Sequence, residues 1–241
     1  MTQTDRKSKP RDIRSFIMNE SLLMKRRKDI VNVALKLFVE KGFERTSIRD
    51  ISKACKLTTG GLYRYIGSKD DIVHLLCLES RDSIRRVRQL LENQEDAGVV
   101  EGLRKCIAAY IRWTGDLQER NLFYNREIHW FTHEDRAILL ESQVKFTQLF
   151  EGLIRRGIKQ RRFSAKYPRL LAHNIVLLGH DWVLRRWYLG RFLSIDAYIE
   201  QQVDMVMKLL SRRGSDGMGI PRCGPNRRRK SNSVRSVSQT Q

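Results

Sequence analysis

Residues 57–71, "LTTGGLYRYIGSKDD", gather hydroxyls, a guanidinium and an ammonium into a short space: Thr58, Thr59, Tyr63 and Tyr65, with Arg64 and Lys69. These groups donate hydrogen bonds to phosphate oxygens and base edges. Gly60 and Gly61 stand in front of "LYRY", although each glycine costs a helix interior about 1 kcal/mol relative to alanine. Without side chains at 60 and 61, a helix start can come close to a phosphate backbone or a base edge, and its free N–H groups favour an anion. Thr58 is placed to cap that helix. Leu62 and Ile66, one turn apart, then face a core, which leaves Thr59, Gly60, Tyr63 and Arg64 on the outside.

Other chemistries find less support. His129 and His133 are four apart, as metal ligands on one helix face would be. Thr132 and Asp135, however, read as a helix start between and beside them, and no third ligand is evident, so no metal site is expected. No G-x-S-x-G, P-loop, G-x-G-x-x-G or H-E-x-x-H occurs, and the carboxylates fall in ion-pairing helical contexts. No catalytic residue and no cofactor are expected. Cys55, Cys77, Cys106 and Cys223 show no C-x-x-C spacing, which suits a reducing compartment and argues against a disulfide framework.

The 241 residues carry 47 Lys and Arg against 27 Asp and Glu, a net charge of +20. That excess points to a polyanionic partner, nucleic acid before an anionic membrane surface. No apolar run approaches about 18 residues and the N-terminus lacks a signal-like apolar stretch, so the expectation is a cytoplasmic protein without a membrane partner.

The elements that would position these groups are helical throughout. Residues 1–24 read as a flexible basic arm, with room for a short helix around "IRSFIMNESLLM". Ile30, Val31, Ala34, Leu35, Leu37 and Phe38 then recur at helical spacing until Gly42 ends the run. In "RTSIRDISKAC", Ser47 stands three residues before Asp50 as in a capping box, and Ile48, Ile51 and Ala54 share one face of a short helix. A long helix spans Lys69 to Asn93. Segments at about 98–115, 117–131, 135–162, 168–189 and 195–211 carry apolar stripes of period 3.6. The fold class is all-α. Beyond residue 211 a Gly, Ser, Pro and Arg-rich tail holds eight Lys and Arg against Asp216, a net +7, and reads as disordered.

A short helix, a tight turn and a second short helix form a geometry that reads the DNA major groove. The stretch "ERTSIRDISKACKLTTGGLYRYIGSKDDIVHLL" resembles the helix-turn-helix of the TetR family of one-component bacterial repressors, over about residues 25–75. The resemblance implies that Thr46, Ser47 and Arg49 meet the phosphate backbone. It places Thr58, Thr59, Gly60, Gly61, Tyr63 and Arg64 in the groove, and sets Tyr65 and Lys69 on phosphate. Lys56 stands where the family most often has glycine, so either it adopts a left-handed conformation at a cost of about 1 kcal/mol or the turn differs. Ile66 replaces the usual phenylalanine. The implied organisation is a DNA-binding domain over 25–70, a ligand-binding and dimerisation domain over 71–211 and the tail over 212–241. The partners would be a palindromic double-stranded DNA operator, a second copy of the chain and a small-molecule effector.

In such proteins the last two long helices pair with their copies as a four-helix interface. Here "LLAHNIVLLGHDWVL" is apolar nearly all round, and Ile195, Ile199, Val203, Val206 and Leu210 form a stripe that would suit that interface. The effector pocket is expected within 98–190, from Tyr110, Trp113, Phe123, Tyr124, Trp130, Trp182 and Trp187, with Arg126, Arg155, Arg185 and Arg186 supplying positive charge. Guanidinium groups flanked by tryptophans suit a phosphorylated head group. The layout "RRGIKQRRF … WVLRRWYLGR" resembles the acyl-CoA-responsive branch of the family, which implies an acyl-CoA thioester as effector. An uncharged lipophile or drug is the alternative, and a ligand-independent architectural DNA-binding protein is a third reading.

Overall fold

The computed structural model describes residues 20–92 and 98–211. The expected disorder of the tail and of most of the arm falls outside those residues. Residues 20–24, expected as part of the arm, are helical: α1 runs Glu20–Lys41. There follow α2 (Ile48–Ala54), α3 (Thr59–Tyr63), α4 (Lys69–Glu92), α5 (Gly98–Asp116) and α6 (Gln118–Glu127). A 3-10 turn over Ile128–Trp130 leads to α7 (His133–Lys159), α8 (Pro168–Leu189) and α9 (Ile195–Leu210).

Local chemistry accounts for these boundaries. Gly42 ends α1 at φ +90°, a region glycine enters without steric penalty, and its N–H returns to Phe38 O at 2.9 Å. Thr132 caps α7 through Asp135 N, Pro168 opens α8 where its missing N–H costs nothing, and Ser194 caps α9 through Ala197 N. Cys55, Cys77 and Cys106 are free thiols. Burial pushes the Cys106 thiol up to about 12, which makes it unreactive at neutral pH.

Two cores organise the protein. The first joins α1–α4 through Ile30, Phe38, Phe43, Ile51, Leu62, Ile66 and Leu76. Phe123, Tyr124, Phe131 and Leu139 also belong to it, so α6 and the start of α7 complete the N-terminal core and residue 70 is not a packing boundary. Phe123 stacks on Phe38 at 5.2 Å. The second core joins α5, α7, α8 and α9 through Ile107, Tyr110, Phe146, Phe150, Ile175 and Tyr198.

Two expected faces lie elsewhere. Ala54 is exposed on α2, and Ser52 joins Ile51 in the interior, its hydroxyl donating to Arg49 O. On α9, Ile199, Val203, Val206 and Leu210 are buried within the protomer's own second core. The stripe assigned to a dimer interface is therefore internal, because α9 packs on α5. The apolar side chains left outside on the last two helices include Leu170, Leu177, Leu184, Trp187 and Tyr188 on α8, Phe192 beyond it, and Met205 and Leu209 on α9.

Candidate nucleic-acid interface and effector site

The turn between α2 and α3 is built from its ends inward. Ser47 accepts from Asp50 N at 3.1 Å and its N–H donates to Asp50 Oδ2 at 2.9 Å, a reciprocal capping box. Those bonds from Ser47 hold the Asp50 carboxyl below the usual carboxylate range. Lys56 takes φ +55°, which settles the alternative left by the missing glycine in favour of the left-handed conformation. Lys56 N closes the turn onto Lys53 O at 3.1 Å and Leu57 N onto Ser52 O at 2.9 Å. Thr58 then caps α3, accepting from Gly61 N at 2.9 Å.

Leu62 and Ile66 are wholly buried, and their opposite face projects outward. Gly60, Tyr63 and Arg64 are exposed, with Tyr63 open to 46%, and Thr59 and Gly61 are half-buried beside them. Arg49 on α2 is exposed as well. Tyr65 is half-buried, its carbonyl accepting from Arg27 Nε at 2.9 Å.

Three expected phosphate contacts look different in their surroundings. Thr46 is buried, with its hydroxyl donating to Gly42 O at 2.8 Å, so it secures the α1–α2 loop rather than offering a free donor. The Ser47 hydroxyl is held by Asp50 at 2.6 Å. Lys69 Nζ donates to Phe43 O and Glu44 O at 3.0 and 3.3 Å and lies 4.6 Å over the Phe43 ring. An ammonium has three donors, so Lys69 keeps one while it ties α4 to that loop.

The residues expected to form an effector pocket are not gathered into one pocket, although two of them, Trp182 and Arg186, share the lining of a small cavity of about 300 Å³ with Gly115, Gly190 and Ile195. Tyr110 is buried core, packed on Phe146 and Phe150 at 5.0 and 5.5 Å, and Trp113 borders the same cluster. Burial pushes the Tyr110 phenol well above its usual range. Phe123 and Tyr124 lie in the other core, where Tyr124 donates to Leu76 O at 2.7 Å. Trp130 is 47% exposed on the 3-10 turn, and Arg126 reaches Val39 O on α1 at 3.4 Å. Trp182 is buried against Tyr198 at 5.0 Å. Trp187 is 69% exposed with its ring tilted against Tyr188 at 5.9 Å, Arg185 is solvated, and Arg186 bonds Gln118 of α6. The expected stacking of guanidinium between Trp182 and Trp187 does not occur, because the two rings leave α8 in different directions, one into the core and one into solvent.

Of that set, Arg155 alone borders the open cleft of about 740 Å³ between α7 and α8. Its other walls were not singled out in the sequence: Leu140, Val144 and Thr147 on α7, Lys166 and Tyr167 before α8, and Arg169, Leu170 and His173 on α8. The available signal was an outward Leu140, Val144, Thr147, Glu151, Arg155 row at steps of three and four on α7. A second unforeseen feature is the buried pair of His74 on α4 and Asp135 on α7, with Nδ1 and Oδ1 2.6 Å apart. Thr132 also donates to Asp135, at 2.7 Å. His129 and His133 sit on opposite sides of the Thr132 cap, not on one helix face. Among the described residues no group of three or more His, Cys, Asp or Glu side chains could hold a metal, and no helix is long and apolar enough to cross a membrane.

This geometry meets known proteins along most of the chain. Residues 30–76 match the N-terminal region described as "Bacterial regulatory proteins, tetR family", and residues 80–210 match the "Tetracyclin repressor-like, C-terminal domain". The HTH-type transcriptional regulator HbdR of Aromatoleum sp. (strain CIB) is 27% identical over 225 residues, covering 89% of this chain and 94% of that one. The HTH-type transcriptional repressor KstR2 of Rhodococcus jostii (strain RHA1) is 25% identical over 199 residues, covering 81% and 92%. The fold is also that of AibR, solved in complex with isovaleryl coenzyme A and operator DNA, with a TM-score of 0.63, 22% identity and coverage of 75% and 97%. With both domains matched in order, and a capped helix-turn-helix presenting Gly60, Tyr63 and Arg64, the chain belongs to the TetR family of DNA-binding transcriptional regulators.

Proposed function

We propose that the protein is a homodimeric repressor that holds a palindromic operator and releases it when an acyl-CoA thioester binds. The observation that carries the DNA half is the outward face of α3, fixed from behind by Leu62 and Ile66 and at its start by the Lys56 turn and the Thr58 cap. A Cβ built at Gly60 meets nothing within 4 Å, so the fold itself has no need of glycine there. The open space suits close approach of a base edge or phosphate.

The dimer reading rests on Leu177, Leu184, Trp187 and Tyr188, an exposed apolar row on α8 at near-heptad spacing. Two-fold pairing would set the two α3 helices on half-sites about 34–36 Å or a multiple apart. Support for the effector comes from AibR, whose complex holds both isovaleryl-CoA and operator DNA, and from the joint presence of cations and exposed aliphatic residues between α7 and α8. Coupling would run through α4, which carries Lys69 at its DNA end and is pinned to α7 by His74 and Asp135. A shift of α7 against α8 would move that pair and alter the spacing of the recognition helices, a coupling worth about 1–3 kcal/mol.

The test is fluorescence anisotropy of an operator selected from a random duplex pool, titrated with a series of acyl-CoAs, free CoA and an uncharged lipophile. Release by an acyl-CoA with a 5- to 150-fold drop in affinity is the expected result. Release by the uncharged compound alone would replace the thioester with a neutral effector.

A further inference from the structure

The helices α7 and α8 are antiparallel neighbours, and the cleft between them has a direction. Its α7 wall runs from Leu140 to Arg155, fifteen residue steps, or about 22 Å at the helical rise. Antiparallel pairing brings the end of α7 beside the start of α8, so Arg155 shares one end of the cleft with Lys166, Tyr167 and Arg169. The other end, near the middle of α7, is walled by Leu140 and Val144, both more than half exposed. The carboxylate in this lining is Glu151, and it is already paired to Arg155 Nη2 at 2.7 Å. The cations at the head end therefore outnumber the negative charge there, and the tail end offers uncovered aliphatic surface.

We infer that the cleft is the seat of an amphiphilic anion, an apolar chain lying against Leu140 and Val144 with its anionic head at Arg155, Lys166 and Arg169. This rests on the effector-released repressor reading and places its site on the outer side of the second core, away from the Tyr110–Phe150 interior. The volume is in the range of small-molecule sites, and a rim of guanidinium and ammonium groups answers a carboxylate or a phosphorylated head. Burial of the chain would cover two side chains that the protein leaves in water, which is the favourable term, and the charged rim would orient it. A CoA thioester and a free fatty acid share this chemistry, and the experiment separates them.

Isothermal titration of the full-length protein would use palmitoyl-CoA, palmitate, free CoA and a neutral methyl ester. It would compare wild type with the double variant Arg155→Glu, Arg169→Glu, with Val144→Glu, and with Lys159→Glu as a control for bulk charge. All four positions are exposed, so the variants should fold, which circular dichroism checks. The expected result is binding of one anionic amphiphile, weakened at least tenfold by the double variant and by Val144→Glu and within twofold of wild type for Lys159→Glu. Which of the thioester and the acid binds identifies the head group. If an anionic amphiphile binds wild type and both cleft variants equally, and releases the operator, the repressor reading stands and this site is overturned. If no amphiphile binds or releases wild type, both are overturned. If Val144→Glu converts a dimer to a monomer by sedimentation, the cleft is an interface between copies and the inference is likewise overturned.

Discussion

The first core draws Phe38 from α1, Phe43 from the loop after it, and Phe123, Tyr124 and Phe131 from beyond residue 120, and it buries all five. The second core is as well packed inside, around Tyr110, Phe146 and Phe150, yet its outer helices leave Leu140, Val144, Leu177, Leu184 and Trp187 in water. The contrast separates two uses of apolar surface. In the first core the surface fixes a rigid reading head, with Phe123 stacked on Phe38 and Phe43 in turn lying under the Lys69 ammonium. In the second it remains available to partners, a second copy along α8 and an amphiphile between α7 and α8.

The strongest challenge to that division is Phe123→Ala. Phe123 is 1% exposed among four aromatic neighbours, so truncation should cost about 3–5 kcal/mol of stability, measured by urea denaturation. A pocket-lining residue would instead leave stability near wild type and change the effector response.

Next in size is Tyr63→Ala. Because the side chain is half exposed and no described partner engages its hydroxyl within the helix-turn-helix, operator affinity should fall at least tenfold, about 1.4 kcal/mol, while stability moves by no more than about 0.5 kcal/mol. A large loss of stability would make Tyr63 a structural residue and blur the contrast.

Lys56→Gly sharpens the same point from the backbone side. Relief of the left-handed conformation at φ +55° should stabilise the protein by about 1 kcal/mol, seen as a higher thermal midpoint. A lower midpoint would mean that the lysine side chain contributes something the turn geometry does not show.

The smallest effect belongs to the second core. Burial, with His173 on the same helix, holds the His180 imidazole below the usual value of 6.5. The unfolded chain then takes up a proton that the folded protein resists, so stability is full above about pH 6.5 and declines as the pH falls through that value. Denaturation curves between pH 7.5 and 5.5 should show a smaller decline for His180→Gln than for wild type, and equal declines would remove His180 as the cause.

The reading head was legible in the sequence because its signals are local. Ser47 with Asp50, Thr58 before Gly61, Gly42 after Phe38 and the pair Leu62 and Ile66 each act within four residues, and each takes the structural role its spacing implies. The turn at Lys56 was legible as a choice between two conformations, which only the backbone could decide. The effector half was not legible in this way. Whether an aromatic residue lines a pocket or fills a core depends on which helix comes to lie against it, and Tyr110, Phe123 and Trp182 have the same periodic signature in either case. The α9 stripe misled for the same reason: Ile199, Val203 and Val206 suit a partner helix, and that partner is α5 of the same protomer. The cleft rim depends on residues of α7 and the segment entering α8 that meet only through antiparallel packing.

The most direct test of the central claim is the affinity of the full-length protein for its selected operator relative to a scrambled duplex of equal length, at one fixed salt concentration. A sequence-reading α3 predicts a ratio of at least about 10³. A ratio within about tenfold would mean that the net charge of +20, and not the face bearing Gly60, Tyr63 and Arg64, governs DNA binding, and would contradict the account.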